Sequence, residues 1–584
     1  MKRIVVFALV CASLLGVRAH SLTVNVEEPG TLGQLVGDDA KYSTDDLTVT
    51  GTIGWADLEF IYSMCRLNNA GQEGEGVLRR LDMSGARIVY RGEETYNEIN
   101  YDEEFHDDEL PIAAFHSCSS LEEVRLPATC RRICNGAFQW CDHLKEIVIP
   151  DSTRIIDGDV FTDCRELRAV TLPDSLEVIA GGAFQNCYSL ESLVIPQHVD
   201  SIGDYVFRDC SALKEITLPD SLSYLGSGCF YDCHSLKAVK VPKGVKVINQ
   251  FQYAHALETV ELPEGVKRID DGAFYLCGSL KNIRLPGTLT YIGVEAFFRC
   301  RSLESIVIPE SVSRLEPAFI ECTNLRRVVL PSRLPYIGGF RDCVRLDSIV
   351  LPYTVTAIQD RAFYHTALTE LVIPSRVKEI GSRAFQGCVG LKNVDFQTEV
   401  LDFIGAYAFA GCDLLDSVAI PSSVTEIGEG AFGGTPLRQV ALPESLKKVD
   451  NKAFADTQIR EATLPASLKT IGEQVFNNCP LERIVCLGDN PPNGHENTFD
   501  EAAWESVPVY VSEDRLRYFK TSFVFRKFKN LIGVPRETLG ILMPKQREAE
   551  GDATYFRLDG TRVDRPEKGI YILKDARGAR KIIR

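Results

Sequence analysis

Short aliphatic runs in which apolar and polar residues alternate recur along most of the chain, and each closes on proline. In "LKEITLP", Leu213, Ile216 and Leu218 fall on one face while Glu215 and Thr217 fall on the other, the two-residue period of a strand with one face buried. Proline has no N–H to give to a further ladder bond, so it ends each strand at one level. After a turn such as DSL or SSV the chain writes I-G-x-x-A-F-x-x-C-x-x-L. Ile202 and Gly203 mark a bend onto a second side. The phenylalanine of A-F returns at Phe138, Phe184, Phe274, Phe297, Phe363, Phe385, Phe409, Phe432 and Phe454. Stacked coil upon coil, these rings predict an aromatic spine.

The closing proline recurs from Pro127 to Pro465, with Gln397 and Leu487 at the same place, which makes seventeen anchors with a mean spacing of 22.5 residues. A period in that range marks a solenoid, in which one unit has too little apolar surface to fold alone and is buried by its neighbours. The predicted fold is a repeat solenoid, a right-handed superhelix with one long parallel β-sheet and about 17 coils of 22–23 residues, capped at both ends. With strands about 4.8 Å apart the sheet would run roughly 80 Å. The interval from Pro242 to Pro263 is only 21 residues and holds "NQFQYAHAL" where the cysteine belongs, so a distorted coil is expected there.

At 584 residues the chain exceeds what one globular core supports, and repetition resolves that in favour of an array. Lysine and arginine number 64 against 81 aspartates and glutamates, a balance that argues against nucleic acid or bare anionic membrane as partner. Residues 1–19 combine the basic Lys2 and Arg3, an apolar run and a V-x-A end at Val17 to Ala19, the pattern of a signal peptide. That run is too short to span a bilayer, and Cys11 follows Val10 rather than the small residue a lipid-modified cysteine would favour. The expected organisation is a signal peptide at 1–19, an N-terminal capping region at 20–109, repeats at 110–487, a capping coil at 488–540 and a small β tail at 541–584.

The unit I-x-x-A-F-x-x-C-x-x-L-x-x-[IV]-x-[LI]-P resembles the BspA-like leucine-rich repeats of surface proteins from anaerobic Bacteroidetes, with some protist relatives. The likeness covers about residues 110 to 487 and is specific because many copies keep register. The degenerate phrases "DLTVTGTI" and "LRRLDMSGARI" suit an end cap. "YFRLDGTRVDRPEKGIYILKDARGARKIIR" is similar to the end of the C-terminal sorting domains of that group, though shorter, and reads as a β unit with a G-I-Y-I strand. The resemblance implies a leucine-rich repeat fold, a cell-surface (outer membrane associated) or secreted location, and binding to host extracellular-matrix proteins or to other bacteria.

Nineteen cysteines in an exported chain would ordinarily suggest a disulfide framework. Thirteen of them share one repeat position, which predicts a buried ladder of reduced thiols, because side chains from parallel neighbouring coils stay farther apart than a disulfide allows. Cys130 with Cys134, and Cys229 with Cys233, fall outside that logic and are left open as disulfides or metal ligands. The nine histidines show no shared repeat position; His198, His234, His255 and His365 fall in turns or variable slots. "DEEFHDDE", Asp102 to Glu109, lacks the spacing and glycine of a calcium loop and reads as solvated acid. No H-E-x-x-H, G-x-S-x-G or P-loop motif is written. No catalytic residue, metal or cofactor is therefore assigned.

What remains is the outer face of the sheet. Its second outward column reads Val307, Val329, Val350 and Val372 over four successive coils, flanked by Arg284 and Asp395, and the first column beside it reads Ser305, Arg327, Ser348 and Glu370. Val307, Arg327, Val329, Ser348, Val350, Glu370 and Val372 are the candidate binding residues, a narrow apolar stripe with a polar rim. Valine also suits any strand, and Val148 and Val194 hold the same column without forming a run. The function expected is a non-enzymatic binding or adhesion protein with protein ligands. The alternatives are a surface-layer component without a specific ligand and, behind it, a repeat scaffold for an enzyme.

Overall fold

The computed structural model describes residues 20–66, 76–91 and 106–541, together with the strand segments 554–556, 562–563, 570–575 and 578–583. The signal-peptide reading at 1–19 and residues 102–105 of the acidic phrase lie outside these. The chain divides into two compact units, one of residues 1–289 with 293–302, the other of residues 290–292 with 303–584.

Each unit is a stack of parallel-stranded coils. In the first, Ser192–Val194 pairs with Glu215–Thr217, placing Leu193 opposite Ile216. In the second, Ser305–Val307 pairs with Arg327–Val329, placing Ile306 opposite Val328. The described residues make about 21 turns rather than 17. A count based on closing prolines misses end coils that lack one: the strands His20–Val26, Thr44–Ile53 and Arg80–Ile88 pair in parallel before the first repeat, and Val509–Ser512 and Leu531–Val534 after the last. The sheet on this side is interrupted; no strand is assigned over 348–350, for example.

A second ladder runs along the bend. Two-residue strands from Glu109–Leu110 to Tyr224–Leu225 form six in the first unit, and those from Tyr336–Ile337 to Thr470–Ile471 form seven in the second. Two residues cannot display an alternation, so the sequence pattern does not announce them. The corner beyond is packed backbone on backbone: a Cβ on Gly203 would stand 2.4 Å from the Gly181 nitrogen, which only glycine avoids. One further slot is fixed by backbone geometry. The residue before the ladder cysteine, or before the threonine in its place, has positive φ in coil after coil, as at Asp163, Asn186, Asp209, Asp232, Asp342 and Asp456. Asp, Asn and Gly tolerate that region best, which explains their frequency there.

The spine is present in both units. From Phe115 to Phe297 in the first, and from Phe319 to Phe499 in the second, successive rings stack with centroids 5.1 to 5.8 Å apart. Beside it stands the cysteine ladder. Cys187 Sγ donates to the Phe161 carbonyl at 3.2 Å, Cys210 to Phe184 at 3.1 Å and Cys412 to Phe385 at 3.3 Å. Each of these thiols thus gives a second hydrogen bond to a buried carbonyl one coil back that also accepts a backbone N–H of its own coil, a role beyond that of a small hydrophobe. Threonine takes the slot at Thr366, Thr435 and Thr457, donating instead to the phenylalanine carbonyl of its own coil. All eighteen described cysteines are buried reduced thiols, Cys130, Cys134, Cys229 and Cys233 included.

The short coil between Pro242 and Pro263 is not distorted in its core. Phe251 stacks at 5.6 Å on Phe230 and 5.4 Å on Phe274, and Val247–Ile248 keeps ladder register with Arg268–Ile269. Ile248 and Phe251 are three residues apart where Ile202 and Phe207 are five. The buried Gln250 fills the gap: its Nε2 donates to the Leu225 carbonyl at 3.0 Å, and its Oε1 accepts from Asn249 N at 2.9 Å. In the second unit Ile337 and Phe340 are equally close in sequence. A cavity of about 520 Å³ opens there, lined by Pro317, Ile320, Gly339, Arg341, Gln359 and Glu379 among others.

The ends differ in kind. At the N-terminal end the helix Trp55–Cys65 buries Leu58, Ile61, Met64 and Cys65. Its Asp57 carboxylate accepts from the backbone N–H of Gly30, Leu32 and Gly54, tying the preceding loop to the helix start. At the C-terminal end the helix Glu501–Ser506 is capped by Asp500, which accepts from Ala503 N at 2.9 Å. There the parallel stack gives way to tilted and edge-on contacts among Phe499, Phe525 and Phe528. The segments Thr554–Phe556, Arg562–Val563, Ile570–Asp575 and Gly578–Ile583 form an antiparallel sheet.

Burial pushes the Cys130 thiol up to about 12 and Cys388 up to about 11, and it raises Cys164, Cys187 and Cys233 as well. An unfolded thiol ionises near pH ~8.5, so each contributes stability that is fully present below that pH and is lost as pH rises toward the raised folded value. The loss is about 1.4 kcal/mol per thiol per pH unit. Melting temperature should therefore fall steeply above about pH 9, and less steeply in the Cys187→Ala/Cys210→Ala variant; equal slopes would count against the ladder as the cause. Unfolded without reductant, all eighteen of these cysteines should react with a thiol reagent, and linked peptides between neighbouring coils would contradict this. Separately, Gln250→Leu strands the Leu225 carbonyl and should cost about 1–3 kcal/mol, read as earlier denaturant unfolding of the first unit.

Candidate functional site

The two-residue alternation carries Val307, Val329, Val350 and Val372 to the outside of the second unit. They are 61%, 54%, 61% and 42% exposed, while Ile306, Leu351 and Leu371 beside them are buried. Arg327, Ser348 and Glu370 are exposed and Ser305 is half-buried. Val307 lies directly opposite Val329 in the ladder, as Ser305 does opposite Arg327. Val372 pairs with Asp395, and Glu370 with Asn393. The Val350 segment lies between these paired strands in sequence and is itself outside any assigned strand.

Tyr353 adds to the stripe a residue that strand alternation does not single out. It follows the closing Pro352 and is 63% exposed, and the Arg376 guanidinium of the next coil lies over its ring at 5.7 Å. The signal is present in the sequence, since Tyr353 is the one aromatic residue directly after a closing proline. Val344 and Val389, each following a ladder cysteine, are also exposed. In the first unit Val148 and Val194 are exposed in the same outward column, as isolated residues.

The structure corrects the reading of the histidines. Ala254 occupies the cysteine slot of the short coil, so His255 holds the same position as His234 one coil earlier, and their rings lie 5.2 Å apart. His234 Nε2 meets Asp232 Oδ1 at 2.5 Å. A ligand atom from each of Asp232, His234 and His255 lies within 4.8 Å of the other two. The unequal coil length hides this pairing in the sequence. Asp209, in the αL slot one coil before Asp232, is raised by burial and then by its hydrogen bond with Asp232.

The acidic phrase is also less solvated than expected where it is described. Asp108 is buried and takes Arg87 through Nε at 3.1 Å and Nη2 at 3.2 Å. Burial opposes its charge, but hydrogen bonds from Thr129 and Arg87 outweigh that and hold the carboxyl below the ordinary range. Asp107 accepts from Tyr90 N at 2.9 Å. These two acids fasten the loop to the end of the Arg80–Ile88 strand. Among the described residues, no helix is long and apolar enough to cross a membrane.

A family model for the BspA type leucine rich repeat region matches residues 108–187, 131–256, 177–288, 249–367 and 356–482. No curated protein matches the chain. Among solved structures, a leucine-rich repeat protein from Bacteroides ovatus is similar at 27% identity, over 66% of this chain and 84% of that one, with a TM-score of 0.38. The leucine rich repeat protein of T. pallidum is 28% identical over 33% of this chain and 71% of its own, with a TM-score of 0.23. A leucine rich cell surface protein from Faecalibacterium prausnitzii is 23% identical over 60% and 89%, with a TM-score of 0.29.

Proposed function

The chain belongs to the BspA-type leucine-rich repeat family, and from that premise we propose that it is an exported, non-enzymatic binding protein that engages a protein ligand through the outer face of its second unit. The observation that carries this reading is the column of exposed valines, Val307, Val329, Val350 and Val372, flanked by Arg327, Ser348 and Glu370. A folded protein gains nothing in its own core from these side chains, and a partner that covers them removes apolar area from water. Tyr353 under Arg376 supplies the aromatic and guanidinium pair from which interface anchors are commonly made.

Export rests on the basic residues, apolar run and V-x-A end within residues 1–19, and the tail at 541–584 is proposed as a shortened sorting or anchoring segment. The family resemblance supports adhesion, to matrix proteins of a host or to neighbouring bacteria. A surface-layer component would share every repeat and differ in retaining no ligand.

The test is a binding screen of the mature protein against matrix proteins and whole bacteria, followed by Val329→Asp/Val350→Asp. Both sites are exposed, so the melting curve should hold nearly constant. Attachment to the ligand found should weaken about tenfold or more, roughly 1.4 kcal/mol. Unchanged attachment with an unchanged melt would reduce the stripe to sheet propensity, and a screen with no retained ligand would favour the surface-layer component.

A further inference from the structure

We propose that Asp232, His234 and His255 bind one divalent transition-metal ion of the zinc class on the surface of the first unit. Two imidazoles and a carboxylate form a donor set suited to such an ion, and one poorly matched to calcium or magnesium, which take oxygen ligands. The repeat itself brings them together: His234 and His255 hold equivalent positions in successive coils, and Asp232 stands two residues before His234 in the αL slot.

The backbone beneath the cluster is fixed. His234 N donates to the Asp232 carbonyl at 3.0 Å, His255 N to the Tyr253 carbonyl at 2.8 Å, and Ser279 N to the His255 carbonyl at 3.2 Å. The Tyr253 ring packs edge-on against His255, with centroids 6.4 Å apart. The three ligand atoms already lie within 4.8 Å of one another. Ligands about 2.0–2.2 Å from a tetrahedral ion stand about 3.3–3.5 Å apart, so binding opens the 2.5 Å contact between His234 and Asp232 and draws His255 inward. Side chains make that adjustment readily here, because both histidines are exposed. Exposure also leaves a coordination position to water, as in sites with three protein ligands. The ladder thiols do not compete while the chain is folded, since those of this unit are buried.

The mature protein, without reductant or chelator, is titrated with Zn²⁺, Co²⁺ and Ca²⁺ by calorimetry, and the Co²⁺ complex is followed by its visible absorption. The expected result is one Zn²⁺ or Co²⁺ per chain with no response to Ca²⁺. His234→Ala and His255→Ala should each weaken the affinity at least tenfold, while His365→Ala, which removes the lone histidine paired with Asp342, should change nothing. His255→Gln, read with a melting curve, separates lost coordination from lost folding. Zn²⁺ that binds the His234→Ala/His255→Ala variant as tightly as the wild type, or fails to bind the folded wild type, overturns the proposal.

Discussion

Each phenylalanine of the repeat has another coil's ring as its main apolar neighbour, and that dependence governs the rest of the structure. A ring at ~5.5 Å from the next cannot be buried by its own 22–23 residues. Every coil must therefore present its ring at the same height and angle, as Phe409, Phe432 and Phe454 do, with interplanar angles of 5° and 0°. Fixing the ring fixes the backbone carbonyl beside it, which accepts the N–H three residues on and has a second lone pair open to another donor in a place water does not reach. Cysteine supplies one from the following coil, and threonine, where it replaces cysteine, supplies one from within its own coil.

The constraint applies to register and not to coil length. Two residues are missing from the corner of the Pro242–Pro263 coil, yet Phe251 keeps its place because the side-chain amide of Gln250 bonds the Leu225 carbonyl. Where the corner is equally short at Ile337 to Phe340, Phe340 still stacks at 5.7 Å on Phe319 and a cavity forms beside it. The spine is conserved at the expense of the corner in both places, as expected if ring burial outweighs local backbone continuity.

The period, the strand faces, the spine and the cysteine ladder were legible in the sequence because each repeats a residue type at one interval. The inward and outward assignment of Val329 and Ile306 needed only the two-residue alternation. Other features were not legible, for identifiable reasons. The bend ladder uses strands of two residues, too short for a period to show. The hydrogen bonds from ladder thiols such as Cys187 and Cys210 to phenylalanine carbonyls depend on how far one coil is shifted along the next. The acids Asp107 and Asp108 resemble a solvated run until Arg87 is brought beside them from an earlier coil. His234 and His255 are 21 residues apart, so aligning them by the commoner spacing puts them in different slots. The outward stripe was legible as residue positions, whereas the contact between Tyr353 and Arg376 required the turn geometry of two coils.

These distinctions bear on where a solenoid of this kind can carry specificity. Inward positions serve the stack, and a change there is felt by the coils on both sides. The αL slot before the cysteine is restricted by backbone conformation. The outward strand positions, the residue after the closing proline and the residue after the ladder position are free of both demands. The unusual chemistry of the chain lies in those places: the valines in the first, Tyr353 in the second, His234 and His255 in the third. A side chain in any of them is repeated at the spacing of the coils only if the sequence repeats it. Runs of like residues over neighbouring coils are thus the means by which a regular scaffold acquires a surface patch larger than one residue, and the valine column and the histidine pair are two such runs of different chemistry.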